Sequence, residues 1–253
     1  MKTAVISGGN GGLGRAMADR LEAEGWHCVL IDVNVAGLEA TATRTPVALD
    51  LTETEALNAA AARITRDRPS IDMVIYNAGV SQIGPFAETT EASHRRVFEI
   101  NYFAAVALAR AFLAPIRAAR GTHLAISSVA GFAPLHNRTA YAASKHAMEG
   151  FFASLRSEEA DHGVRTLIAA PSFVATNIGR PERGEDGIVR PGSASDGVDY
   201  MTPEEAAKVI LSGVARGRDF IPVGRVARLS WWIMRTSPRL YACLMRRSIS
   251  GEG

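Results

Sequence analysis

The stretch Ser7-Gly8-Gly9-Asn10-Gly11-Gly12-Leu13-Gly14 constrains this chain more than any other part of it. It follows an apolar run, Ala4-Val5-Ile6, that reads as a buried strand. After it, Leu13, Met17 and Leu21 recur at every fourth position, the spacing of one helix face, and Glu24-Gly25 closes that helix. Glycines crowd where a backbone must turn sharply or approach other groups closely. A strand, a tight glycine turn and a helix in succession begin a crossover unit, the connection that parallel strands need.

The same rhythm continues. Short apolar runs bounded by turn residues recur at Val29–Ile31, Val47–Leu49, Met73–Ile75, Leu124–Ile126, Leu167–Ala169 and Phe220–Val223. They are apolar throughout rather than alternating, which predicts strands covered on both faces by the intervening helices. The fold class expected is α/β: a doubly wound, mainly parallel sheet of the Rossmann type, in one domain spanning residues 1–224. Two regions break the rhythm. Residues 178–200, rich in Gly, Pro and charge, predict a mobile substrate loop. Residues 225–253 form a basic C-terminal extension.

A helix that starts at such a glycine turn offers free N–H groups and the positive end of its dipole to phosphates. The loop fits two dinucleotide-binding patterns at once, through Gly9, Gly11 and Gly14 or through Gly8, Gly12 and Gly14. Asp32 ends the second strand, eighteen residues after Gly14, where a carboxylate reaches an adenosine ribose. It would repel a 2′-phosphate, and neither Gly11 nor Val33 supplies a cation to accept one, so NAD is expected rather than NADP.

Tyr141-Ala-Ala-Ser144-Lys145 places a phenol and an ammonium four residues apart on one helix face. A neighbouring cation stabilises a phenolate, which can then take the hydroxyl proton of an alcohol as hydride leaves the carbon. The chain has three lysines against twenty-five arginines, so lysine here is a specific choice of a compact ammonium.

With these motifs in order, the sequence resembles the short-chain dehydrogenase/reductase family over roughly residues 1–225. The resemblance implies an oxidoreductase that moves a hydride between NAD(H) and a secondary alcohol or ketone. Ser128, thirteen residues before Tyr141, matches the family's catalytic serine, which binds the substrate oxygen. By the same resemblance Tyr141 is the acid/base, Lys145 also holds the nicotinamide ribose, and Asn101 positions a water for proton relay. Ser7, Gly8, Asn10, Gly12, Leu13 and Gly14 would form the phosphate loop. Asp50-Leu51 matches the aspartate that contacts adenine, and Asn77-Ala78-Gly79 the end of the fourth-strand motif. Pro171, Val174 and Thr176 match the segment that holds the carboxamide.

Three positions depart from the family pattern. Ser7 replaces a threonine and keeps a hydroxyl. Tyr76 replaces an asparagine, which puts the local hydrogen bonding in doubt. Ser172 replaces a glycine, so the backbone there is expected to differ slightly. Ser127 is read as structural.

Candidate pocket walls are Val80, Ala130, Phe132, Leu135 and His136, mostly apolar and suited to a hydrophobic substrate. Phe98, Phe103, Phe112, Phe151 and Phe152 on the segments Val97–Leu113 and Tyr141–Leu155 add apolar surface, and the family resemblance implies that these helices pair in a homodimer or homotetramer. A net charge of +2 gives no reason to expect nucleic acid, and the two distant cysteines suggest neither disulfide nor metal site. No apolar run reaches the length of a membrane span, and no leader is evident before the first strand, so the expected location is cytoplasmic.

The extension qualifies that location. From Arg225 to Arg247 it carries six arginines and no acid, interleaved with Leu229, Trp231, Trp232, Leu240 and Leu244, and Pro238 divides it in two. Peripheral membrane contact is one expectation for it; walling the substrate pocket and packing on a partner subunit are the others. Two alternatives to the main reading stay open: an NADP-dependent ketoreductase of the same fold, and a membrane-surface nucleotide-binding protein with secondary activity.

Overall fold

The computed structural model describes residues 1–176, 187–189 and 200–250 of the 253. In chain order the strands are β1 (Thr3–Ser7), β2 (His27–Asp32), β3 (Arg44–Ala48), β4 (Met73–Tyr76), β5 (Ser81–Gln82), β6 (Thr122–Ile126), β7 (Arg165–Pro171), β8 (Ile188–Val189) and β9 (Phe220–Val223). Seven of them form one sheet in the order β3-β2-β1-β4-β6-β7-β9, every pair parallel. The chain runs outward from β1 to β3 and then crosses back to lay β4 on the other side of β1. That reversal opens a crevice at the carboxyl ends of β1 and β4, where ligands bind in such sheets.

The helices are α1 (Gly12–Ala23), α2 (Thr54–Asp67), α3 (Glu91–Phe98), α4 (Ala104–Ala111), α5 (Leu113–Ala118), α6 (Thr139–Ala160), α7 (Pro203–Ala215), α8 (Arg225–Thr236) and α9 (Pro238–Ser250). Leu13, Met17 and Leu21 of α1 pack with Ile210 and Leu211 of α7 over one sheet face. Leu57, Leu108, Met148 and Phe152 from α2, α4 and α6 cover the other. The doubly wound expectation therefore holds, with a core on each side of the sheet.

Several boundaries differ from the reading of the residues. β3 begins at Arg44 and contains Pro46, and only Val47 of it is buried. It is an edge strand, where proline costs no ladder bond on its open side. The segment Val97–Leu113 is not one helix: a π-helical turn over Glu99–Phe103 separates α3 from α4. Phe112 and Phe152, expected to add outer surface, are fully buried in their own core. Phe103 alone of the five phenylalanines is exposed.

Most of the segment 178–200, the expected substrate loop, lies outside the described residues. Its described part is not irregular, because Ile188 and Val189 pair antiparallel with Gln82 and Ser81. The extension does break at Pro238, into α8 and α9. Ala227 and Tyr241 pack with Val129 and Ala133 in a small separate core, and the Tyr241 hydroxyl donates to the Pro134 carbonyl at 3.3 Å.

Candidate functional site

The glycine turn is built by close approach. A side chain on Gly14 would run into the Gly8 carbonyl oxygen, and Gly8 itself has φ +64°, a left-handed conformation natural to glycine. The turn delivers the N-terminus of α1 to the crevice with no side-chain cap on its N–H groups. Leu13 lies inward in the core beneath it. Thr176 covers the other side, its Cβ close to where a Gly12 side chain would stand.

Ser7 and Asn77 lock this turn to the end of β4. The Ser7 hydroxyl accepts from the backbone N–H of Asn77 at 3.0 Å and of Ala78 at 3.1 Å, and donates to the Ile75 carbonyl at 3.2 Å. The Asn77 amide donates to the carbonyls of Ser7 and Gly8. The hydroxyl that replaces the family threonine thus bridges two strand ends.

Asp32 accepts the Asn10 N–H at 3.0 Å and the Asn34 N–H at 3.2 Å. One carboxylate oxygen braces the glycine turn and the other the segment just after β2. A cation that the residue spacing did not reveal lies beside it: the Arg15 guanidinium donates to the Asn10 side-chain oxygen and reaches the Ala36 carbonyl. Asp50 is exposed and its carboxylate accepts from the N–H and hydroxyl of Thr52, capping the turn before α2, while Leu51 is buried. Pro171 ends β7, and Val174 bridges to Met201. At Ser172 both the N–H and the hydroxyl donate to the Val223 carbonyl.

At the carboxyl end of β6, Ser128 meets the first turn of α6. Burial pushes the Tyr141 phenol up, while a hydrogen bond to Ser128 and the Arg138 guanidinium pull it down. The Lys145 ammonium lies 6.0 Å from the Tyr141 ring centre and donates to the Ile126 carbonyl at 2.8 Å. Burial lowers its pKa to about 8, against the opposing pull of Glu149.

Asn101, wholly buried in the π turn, donates to the Val80 carbonyl and the Ser144 hydroxyl at 2.9 Å each and accepts the Val80 N–H at 2.8 Å. Gly79 fits between its amide and the Lys145 Nζ, where a side chain would touch the amide oxygen at 3.1 Å. Asn101 therefore ties the π turn, the segment after β4 and α6 into one frame. Ser128, Tyr141, Lys145 and Asn101 come together from three chain segments: the end of β6, the first turns of α6 and the π turn.

One residue beside this frame, Glu149, was not singled out in the sequence. Ser127 donates to Glu149 at 2.7 Å, and Gly131 leaves the space that this contact occupies. Burial raises the Glu149 carboxyl pKa, while Ser127, His146, Lys145 and Arg235 lower it. Glu149 lies one helical turn beyond Lys145, a spacing visible in the sequence, but its contact with Ser127 spans the fold. Tyr76 points away from the crevice: its hydroxyl meets His123 Nδ1 at 2.6 Å and its ring packs on Phe152. Of the expected pocket walls, Ala130 is buried, Leu135 half-buried and His136 exposed. Phe132 turns toward the extension and Phe220.

A glycine turn with an uncapped helix end, and a Ser128–Tyr141–Lys145 cluster, at the strand ends of a doubly wound sheet make the arrangement of a dinucleotide-dependent oxidoreductase. The short chain dehydrogenase family model matches residues 2–186. "Dehydrogenase/reductase SDR family member 7B" of Xenopus laevis is 33% identical over 257 residues, covering 95% of this chain and 80% of the relative. The Danio rerio protein of that description is 33% identical, covering 96% and 84%. Among solved structures, a short-chain dehydrogenase from Streptomyces avermitilis superposes with TM-score 0.81 at 23% identity, covering 100% and 99%. One from Burkholderia cenocepacia, in complex with NADP, gives 0.83 at 22% identity, covering 97% and 99%. The chain belongs to the short-chain dehydrogenase/reductase family. It is an NAD(P)-dependent oxidoreductase.

Proposed function

We propose that this enzyme interconverts a hydrophobic secondary alcohol and its ketone with NAD(H). The observation that carries the reading is the convergence of Ser128, Tyr141 and Lys145 at the end of the crevice, with the glycine turn opposite Thr176. The residues present fit the dinucleotide: a side chain would fill the cradle at Gly8 and Gly14, and the start of α1 has no side-chain cap, which leaves its N–H groups for a phosphate. Gly8, Asn10, Gly12 and Gly14 would hold the pyrophosphate, Asp32 the ribose, and Val174 and Thr176 the carboxamide. When bound, that cofactor supplies hydride exchange at the carbinol carbon.

The chain's own residues handle the proton. Ser128 binds and orients the substrate oxygen. Tyr141 takes the hydroxyl proton during oxidation and returns it during reduction. Lys145 stabilises the phenolate electrostatically, and Asn101 holds the backbone beside Lys145 in place. Val80, Ala130 and Leu135 favour an apolar substrate. The Asp32 carboxylate favours NAD by repelling a 2′-phosphate, although Arg15 nearby offsets part of that repulsion. A homodimer or homotetramer through the outer faces of α4 and α6 is part of the proposal, supported by exposed Phe103 beside Tyr102 and Phe151.

Tyr141→Phe tests the chemistry. Turnover with NAD on an alcohol panel is expected to fall by at least ~10²-fold, while cofactor affinity stays near that of the unmodified enzyme. Near-normal turnover in this variant would remove Tyr141 from its role.

A further inference from the structure

The outward face of α8 is spare. The inner side of this helix, with Ala227 and Ser230 buried and Ile233 and Met234 partly so, packs toward the loop after Ser128. Arg225, Arg228, Leu229 and Trp232 recur at helical spacing on the other side, and all four are exposed, while Arg235 at the flank stacks on the Trp231 ring at 4.2 Å. Leu229 is 62% exposed and Trp232 63%. On α9, which packs against α8, Leu240 and Leu244 lie one turn apart at 48% and 43%, beside exposed Arg239. Among the described residues, half of the exposed large hydrophobic side chains belong to these two helices.

Arginines and apolar residues of the extension do not separate onto opposite faces. The structure divides them differently. One set of apolar residues faces the protein, and a second set shares the solvent side with the arginines.

We propose that this mixed face docks the enzyme on the surface of an anionic lipid bilayer. Tryptophan and leucine enter the headgroup boundary, and arginines bury their stems there while their guanidinium groups meet lipid phosphate. Charge selects the occupant. The sequence from Arg225 to Arg247 has no acidic residue, so a second copy related by a two-fold axis would set arginines against arginines. A bilayer carrying negative charge satisfies the arginines and the apolar side chains together.

No described helix is long and apolar enough to cross a membrane, so the contact is peripheral. The inner side of the extension packs on the loop after Ser128, which sets the catalytic crevice close to the lipid. The proposal stands independently of the catalytic reading, since it uses none of those residues.

The test is co-sedimentation of the full chain with vesicles of phosphatidylcholine alone or mixed with phosphatidylserine. Binding is expected only with the anionic lipid, and added salt should weaken it. The Leu229→Ala, Trp232→Ala double variant should lose about tenfold or more in affinity. Arg225→Glu with Arg228→Glu should abolish binding, with circular dichroism and oxidoreductase activity retained by both variants. No binding to anionic vesicles, or undiminished binding by both variants, would overturn the proposal. So would an oligomer that dissociates when Leu229 and Trp232 are replaced, because a second copy would then be the occupant.

Discussion

Replacing Glu149 with glutamine keeps an acceptor for the Ser127 hydroxyl and removes a negative charge from the neighbourhood of Lys145. That charge is what opposes desolvation at Lys145, whose pKa burial has brought down to about 8. Without it the lysine pKa falls further, so in the proposed mechanism the ammonium that would stabilise the Tyr141 phenolate is lost at a lower pH. The consequence is steep because the starting value lies near working pH. At pH 8 about half of the lysine is charged; if the pKa dropped by one unit, about a tenth would be, a change of about 1.4 kcal/mol. The assay is kcat/KM against pH for Glu149→Gln and the unmodified enzyme. The alkaline limb should move to lower pH, with the acid limb and KM for the dinucleotide little changed. Glu149→Leu should show the same displacement and also lose about 1–3 kcal/mol of stability, because it leaves the Ser127 hydroxyl unpaired. An alkaline limb that stays in place in Glu149→Gln would refute this electrostatic link, whatever happened to stability.

Three other outcomes follow from the contacts described. Asp32→Ala should lower efficiency with NAD and narrow the gap to NADP in paired steady-state measurements; equal use of both cofactors by the unmodified enzyme would defeat the assignment. Tyr76→Phe removes the hydroxyl that partners His123, whose other ring nitrogen, Nε2, is already buried without a partner. The cost should be about 1–3 kcal/mol in urea unfolding, with kcat unchanged, and an unaltered midpoint would speak against it. Phe103→Glu should shift the enzyme to a smaller species in light scattering if α4 forms a subunit interface, and an unchanged mass would exclude that face.

The parallel sheet was legible because buried strands and amphipathic helices leave different periodicities, and every apolar run fell in or beside a strand. The glycine turn and the Tyr141–Lys145 pair were legible because their spacings are local. What the residues could not show was which side of a helix meets which neighbour. Phe112 and Phe152 carry the same apolar signal as Phe103, and only packing separates the two that are buried from the one at the surface. Ser127 and Glu149 lie twenty-two residues apart and meet because a strand end and a helix converge. Arg15 was similarly hidden: its place beside Asn10 depends on how the glycine turn folds back on β2. The π turn holding Asn101 has no composition that marks it.

The clasp between the extension and the loop after Ser128 bears on how the enzyme matures. Val129 and Ala133 gain their cover from Ala227 and Tyr241, and Pro134 its hydrogen bond from the Tyr241 hydroxyl. Tyr241 lies 107 residues further along the chain than Pro134. A nascent chain can complete the glycine turn and the first strands while the loop beside Ser128 is still bare. That loop takes its final cover only once α8 and α9 have been made and have closed over it, so the surroundings of Ser128 are completed by a late segment of the fold.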